Sequence, residues 1–245
     1  MEAERMRGLQ GKTVIVTGAA GGIGSAIVRR LVSEGCRVAS LDLVQPDVEG
    51  QSFGLPVDIT DEESVGLAVA ATRDALGPIG ALVAVAGISH SAPTHELALS
   101  DFRRVLDVNL IGTFLAVRAV LPDMLERGEG QIVTFGSTAA VRAAPAMVAY
   151  AAAKGAVLQF TKSISVEYAV RGIRANCLCP GGTLTPLMAS VDANRIGPDH
   201  FKDRHPIGRY AEPDEIAAAA AFLVSDDSSF VLGATFMADG GYTSW

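Results

Sequence analysis

The stretch from Lys12 to Gly35 restricts the fold of this chain more than any other. KTVIVT (12–17) is a short, β-branched apolar run, the pattern of a parallel strand buried on both faces. Gly18, Gly22 and Gly24 follow at once in GAAGGIG, and a helical stripe of Ile23, Ile27, Val28, Leu31 and Val32 comes next. The glycines permit a tight turn. They also let a pyrophosphate approach the backbone at a helix N-terminus, where free N–H groups and the helix dipole attract anions. Glycines serve packing as well, so the loop gains its meaning from its place between strand and helix. Strand and helix patterns then alternate along all 245 residues, which predicts one α/β domain.

The second strand, CRVASL (36–41), ends at Asp42. An acid about twenty residues past the glycine loop stands where a dinucleotide site needs an acceptor for the adenosine ribose hydroxyls, and it repels a 2′-phosphate. No Lys or Arg follows in LDLVQPDV, and none lies in the loop, so the cofactor expected is NAD rather than NADP. A capping or solvated loop acid is the other reading of Asp42. Leu43 adjoins it. The segment from Val44 to Gln51 is short for a helical connection and reads as a stub or loop. Phe53–Val57 reads as a third strand, with Asp58 and Ile59 at its end, where Asp58 is available to the adenine amine. A helix follows over 61–76, capped at Thr60 or Asp61. Ala81–Val85 reads as a fourth strand, closed by Ala86-Gly87.

Ser137, Tyr150 and Lys154 carry the chemistry. Tyr150 and Lys154 are four apart, so on a helix they share one face. An ammonium beside a phenol favours the phenolate, which predicts a tyrosine pKa below its usual ~10 and a proton donor or acceptor nearer neutral pH. An exposed helical pair has the same spacing. Ser137 follows the apolar strand QIVTF (131–135) and is placed to hydrogen-bond the oxygen that the tyrosine protonates. Asn109 sits among apolar neighbours in a helical run over 100–126 and must be satisfied there. It either fixes a local irregularity of that helix or holds a water near the site. Pro122 marks a kink or the end of the helix.

Charge and composition exclude other classes. Lys and Arg number 20 against 27 Asp and Glu, for a net charge of −7, and the basic residues are scattered. Nucleic acid and anionic membrane surfaces are therefore not expected partners. The apolar runs are short or broken by charge, so no membrane span is expected. MEAERMRGLQGK lacks the apolar segment of a signal peptide, and a cytoplasmic location is expected. Three cysteines (Cys36, Cys177, Cys179) form no disulfide framework; Cys177 and Cys179 alternate in a strand and read as buried filler. The four histidines lack metal-ligand spacing, and no metal is expected.

Taken in order, T17-G-A-A-G-G-I-G24, Asp58, Asn109, Ser137, Tyr150-A-A-A-Lys154, P180-G-G-T-L-T185 and D239-G-G resemble the short-chain dehydrogenase/reductase family, core-length branch, from about Leu9 to Gly241. The resemblance implies a Rossmann-type, doubly wound, seven-stranded parallel sheet with helices on both faces. It implies Tyr150 as general acid in reduction and base in oxidation, Lys154 lowering its pKa and binding the nicotinamide ribose, Ser137 polarising the substrate oxygen, and Asn109 holding a water between Lys154 and solvent. It implies a cofactor cradle of Gly18, Gly22, Ile23, Gly24, Asp42, Leu43, Asp58, Ile59, Ala86, Gly87, Tyr150, Lys154, Pro180, Gly181, Thr183 and Thr185. A homotetramer, paired through the helices around Asn109 and Tyr150 and through the C-terminal helix and strand, is also implied. The family's Asn-Asn-Ala-Gly after the fourth strand is here Ala84-Val85-Ala86-Gly87, which puts the stability of the sheet centre in doubt, not the chemistry.

Substrate contacts are less constrained. The loop ISHSAPTHEL (88–97) leaves a strand end, so His90 and Ser91 either touch substrate or are solvated. The segment 184–210 is expected to cover the substrate, with Leu187, Met188 and Val191 as an apolar wall. Arg195, Lys202, Arg204, Arg209 and Arg142 are available to an anionic group or to solvent. Three functions compete: an NAD-dependent dehydrogenase or reductase exchanging a hydride with a small secondary alcohol or ketone, a 3-oxoacyl-thioester reductase, and a non-catalytic dinucleotide-binding regulator.

Overall fold

The computed structural model of the chain describes residues 6–46, 52–189 and 202–244. Residues 47–51, within the expected stub, and Val191 and Arg195 of the expected flap lie outside the described residues.

Seven strands form one parallel sheet: β1 (Thr13–Thr17), β2 (Arg37–Asp42), β3 (Ser52–Pro56), β4 (Ala81–Ala84), β5 (Gly130–Phe135), β6 (Ile173–Pro180) and β7 (Thr235–Ala238). Their order is β3-β2-β1-β4-β5-β6-β7. The order reverses between β1 and β4, and the crevice at such a switch point is where open α/β sheets bind ligands. This is the α/β domain that the alternating pattern predicts, in the doubly wound Rossmann arrangement that the resemblance implies.

Two apolar layers sandwich the sheet. On one face, α1 (Gly22–Ser33) supplies Ile27, Val28 and Leu31, which pack with Ile216, Ala220 and Leu223 of the last helix, Pro213–Val224. That helix starts with Pro213 at its first turn and carries a capping box between Glu212 and Glu215. On the other face, α2 (Glu62–Leu76) and α4 (Gly112–Arg127) bury Val65, Val69, Leu115, Val117, Val120 and Met124. Asp61 caps α2 by accepting from the backbone of Glu63 and Ser64.

The expected long helix over 100–126 is three pieces: α3 (Leu99–Leu106), a π-helical turn (Asp107–Ile111) and α4, which continues past Pro122 to Arg127. The combined run is long and apolar enough by composition to cross a membrane, against the sequence expectation. Half of its most apolar window is buried in the domain, and its apolar side chains are the second layer of the core.

The missing asparagines after β4 leave pairing intact, since β4 is hydrogen-bonded to β1 and β5 along all of Ala81–Ala84. Just beyond it, the Ala86 N–H donates to Thr17 Oγ1 at 3.3 Å. Cys177 and Cys179 are buried on one face of β6, as expected of filler, with their sulfurs 3.8 Å apart.

Candidate active site

The carboxyl ends of the strands open into a cleft of about 1000 Å³ that extends from Asp42 to Tyr242. That is the upper end of the ~300–1,000 Å³ typical of small-molecule sites.

The chain fits a dinucleotide at one end of this cleft. Gly18 has φ +68°, and a Cβ on it would lie 2.8 Å from the Ala86 Cα. A Cβ on Gly22 would lie 2.9 Å from Thr185 Cγ2, so the start of α1 packs directly against the side chain of the loop after β6. Ile23, Gly24, Leu43, Ile59, Ala86, Gly87, Pro180, Gly181 and Thr183 all line the cleft with them. Asp42 does two things. It lines the cleft, and its Oδ2 accepts the Ala20 N–H at 2.9 Å, bracing the glycine loop. Asp58 accepts from the Thr60 N–H and hydroxyl at 2.9 and 2.7 Å, which holds its carboxyl below the usual range. Thr183 and Thr185 turn the loop after β6: the Thr183 hydroxyl donates to the Gly181 carbonyl at 3.1 Å, and the Thr185 hydroxyl accepts the Met188 N–H at 3.2 Å.

Ser137, Tyr150, Lys154 and Asn109 meet next to this cradle, and all four line the cleft. Ser137 stands one residue past β5 and opens a short 3-10 turn (Thr138–Ala140), its hydroxyl accepting the Ala139 N–H at 3.1 Å. Gly136 before it has no freedom to be larger, because a Cβ would sit 2.6 Å from Cys179 Sγ and 2.8 Å from Cys177 Sγ. Tyr150 is the third residue of α5 (Val148–Tyr168), where unpaired N–H groups and the dipole favour a negative charge. It packs with Val105 of α3 and Ala149 and Ala153 of α5.

The pair Tyr150–Lys154 shares a helix face, but the expected depression of the phenol is not what the structure yields. The Lys154 ammonium donates to the Phe135 carbonyl at 2.8 Å and lies 5.7 Å from the centre of the Tyr150 ring. Burial pushes the Tyr150 phenol upward, and its hydrogen bond with Ser137 opposes that rise. Burial also draws Lys154 down, to about 8, because its charged form has lost water. The site thus brings together a neutral phenol and an amine that sheds its proton nearer neutral pH than an ordinary lysine does.

Asn109 sits at the local irregularity of the helix. Its Nδ2 donates to the Ile88 and Val105 carbonyls at 2.9 and 2.8 Å, the first anchoring the loop after β4, the second tying the π turn back to the last turn of α3. Its Oδ1 is buried with no hydrogen-bond partner among the described residues. A Cβ on Gly87 would lie 2.6 Å from that oxygen and 3.3 Å from Lys154 Nζ, so Gly87 is the space in which the two approach. A buried acceptor left open beside an amine is a place for a water to bridge.

The substrate end contains surprises. His90 is turned to Asp101, with Nε2 3.8 Å from Oδ2, and does not line the cleft. Ser91 also lies off the lining, its hydroxyl on Met147 Sδ at 3.3 Å. Leu187 and Met188, on a single helical turn (Pro186–Ala189), do line it. Arg209 is held by both oxygens of Glu215 and points elsewhere, and Lys202 is exposed. Arg142 lines the cleft and donates Nη1 to the Tyr242 carbonyl at 2.6 Å, its guanidinium 4.7 Å from the centre of the Tyr242 ring.

Sequence reasoning missed three features. Buried His205 accepts the Gly182 N–H at 3.0 Å through Nε2 and packs on Tyr242 at 5.0 Å, fixing the loop after β6. Ala146 adopts φ +59°, a left-handed conformation uncommon for alanine, and its carbonyl accepts the Ala92 N–H at 3.0 Å. Ser89 lines the cleft with its hydroxyl buried and unpartnered among the described residues; its place directly after Gly87-Ile88 was the available signal.

Residues 18–243 match a family model described as enoyl-(acyl carrier protein) reductase. The chain is 41% identical over 245 residues to D-threitol dehydrogenase of Mycolicibacterium smegmatis, covering 96% of this chain and 94% of that protein. It is 36% identical over 253 residues to 2-(S)-hydroxypropyl-CoM dehydrogenase 3 of Xanthobacter autotrophicus, covering 96% and 98%. Among solved structures, the ligand-free aldohexose dehydrogenase of Thermoplasma acidophilum superposes with a TM-score of 0.91 at 32% identity, over 98% of this chain and 97% of that one. Glycine loop, serine, tyrosine and lysine on one cleft, with relatives of matching length that are dehydrogenases of CH–OH groups, place the chain among the oxidoreductases of the short-chain dehydrogenase/reductase family.

Proposed function

We propose that this protein is an NAD-dependent dehydrogenase of a small secondary alcohol, or reductase of the matching ketone, with Tyr150 as its general acid and base. The observation that carries this reading is the convergence of Ser137, Tyr150, Lys154 and Asn109 on the cleft that the glycine loop closes. Nicotinamide supplies the hydride acceptor or donor when bound. The chain's own residues do the rest. Tyr150 takes the hydroxyl proton in oxidation and returns it to the carbonyl oxygen in reduction, while the Ser137 hydroxyl hydrogen-bonds the same oxygen. Lys154, drawn to about 8, exchanges a proton with the phenol near neutral pH. A water on Asn109 Oδ1 passes that proton toward solvent. Asp42 supports NAD over NADP, because a carboxylate at that strand end accepts from ribose hydroxyls and repels a phosphate. The description of the matching family model favours a second reading, a thioester reductase; Asp42 weighs against the NADP that such reductases usually prefer. A cytoplasmic homotetramer of single-domain subunits, with 184–210 as a substrate cover, completes the proposal.

The test is absorbance at 340 nm with NAD or NADP and a panel of secondary alcohols, sugars and hydroxy acids. Turnover with NAD on one class of alcohol is expected. Tyr150→Phe should lower kcat/KM by ~10²- to 10⁴-fold with NADH affinity kept. Undiminished turnover in that variant overturns the mechanism.

A further inference from the structure

The charges that line the cleft are sorted by end. Among its described residues the acids are Asp42 and Asp58, both on the adenosine side beyond β2 and β3. The cations are Lys154, Arg142 and Arg204, all on the other side. Arg142 lies one short turn past Ser137, its N–H on the Thr138 carbonyl at 2.9 Å. Its side chain joins the segment after β7, the sheet edge opposite to β3. It is therefore beyond the reacting hydroxyl as seen from the glycine loop.

Like Arg174, which serves the Ser225 and Ser228 carbonyls, Arg142 has no carboxylate partner among the described residues, but of the two it is Arg142 that lines the cleft. Arg7, Arg29, Arg30, Arg73, Arg118 and Arg209 each pair with a carboxylate. Arg142 is half-buried in the cleft wall with no carboxylate partner among the described residues. One of its five N–H groups serves the Tyr242 carbonyl, and the Tyr242 ring covers its plane. Those contacts fix the guanidinium without neutralising it, and its remaining donors have no acceptor among the described residues. The same cleft is lined by apolar Ala144, Pro145, Met147, Leu187 and Met188. A half-desolvated cation in such a wall gains most from an anion brought by the ligand.

We infer that Arg142 is the anchor for an anionic group on the substrate, so that the alcohol oxidised is a hydroxy acid: a secondary hydroxyl and a compact carboxylate on an apolar frame. This rests on the hydride-transfer reading above and adds the substrate class to it.

The experiment pairs each of several four- to eight-carbon hydroxy acids with its own methyl ester, which keeps the frame and removes the charge. Wild-type protein should prefer the acid by about 10-fold or more in kcat/KM. Arg142→Gln should lose about 10- to 100-fold on the acid, mainly through KM, with the ester changed less than about 3-fold; Arg142→Lys should recover part of the loss. Equal use of acid and ester by the wild type, or an equal fall on both in Arg142→Gln, overturns the assignment, the latter because it marks a merely structural arginine. A second measurement does not need turnover: cyclohexanecarboxylate is titrated into the NADH-loaded protein and followed by NADH fluorescence. Saturable binding that persists in Tyr150→Phe and is lost in Arg142→Gln supports the anion site even if no alcohol is oxidised, which would sink the hydride-transfer reading alone. No binding to the wild type overturns the anion site.

Discussion

Removing the amide of Asn109 tests whether this side chain holds the π turn together. Its Nδ2 serves two backbone carbonyls, Ile88 at 2.9 Å and Val105 at 2.8 Å, and the residue is fully buried. Asn109→Ala strips both carbonyls of that donor in a place water does not reach freely. A buried polar group left unpaired costs about 1–3 kcal/mol, so the two together cost roughly 2–4 kcal/mol after partial relaxation. For a chain of this length, 1 kcal/mol moves Tm by about 2–4 °C, which puts the expected fall at ~4–16 °C. Circular dichroism melts at one fixed protein concentration measure it, since association would otherwise shift Tm by mass action. Hydrogen exchange at residues 110–113 should quicken in parallel, because the π turn loses its brace to α3. A Tm within about 2 °C of wild type, with unchanged exchange, would refute the reasoning: the amide would then be a bystander in a helix held by its own backbone.

Two further outcomes are expected. Lys154 titrates near 8 in the folded chain against an ordinary 10.5, so between these values the unfolded chain keeps a proton the folded one has lost. Stability therefore rises with pH across that window and is lost as pH falls through it, and Lys154→Met should remove up to about 3 kcal/mol of this slope, read as urea midpoints at pH 7.5 and 10; a variant-to-wild-type difference that does not change with pH would contradict it. Asp42→Ala should weaken NADH by about 10- to 100-fold and narrow the gap to NADPH in fluorescence titrations, because it removes both a charged acceptor and a repulsion; an unmoved preference would mean that Asp42 only braces Ala20.

How far the sequence carries depends on whether a contact is local. Asp61 capping α2 follows from residues two and three positions away, and the two-layer packing follows from the apolar stripes of Ile27, Leu31, Val65 and Val69. The spacing of Tyr150 and Lys154 fixes a shared face but not where Nζ ends, and the acceptor that captures it is the Phe135 carbonyl, nineteen residues away on another element. His90 lost its place for a similar reason, since Asp101 reaches it from α3. Ala146 carries no mark of its left-handed backbone because alanine is not the residue that usually signals one. His205 was silent because its partner, the Gly182 N–H, has no identity in a sequence.

The π turn at Asp107–Ile111 has one more effect on how this molecule tolerates change. A π turn holds one residue more than an α turn, so every side chain beyond Ile111 arrives about 100° later around the axis than an unbroken α-helix would place it. Leu115, Val117, Val120 and Met124 meet the sheet only in that delayed phase. Excising a single residue between 107 and 111 would thus act less as a shortening than as a rotation of all of α4, turning its buried stripe off the core while leaving its composition untouched.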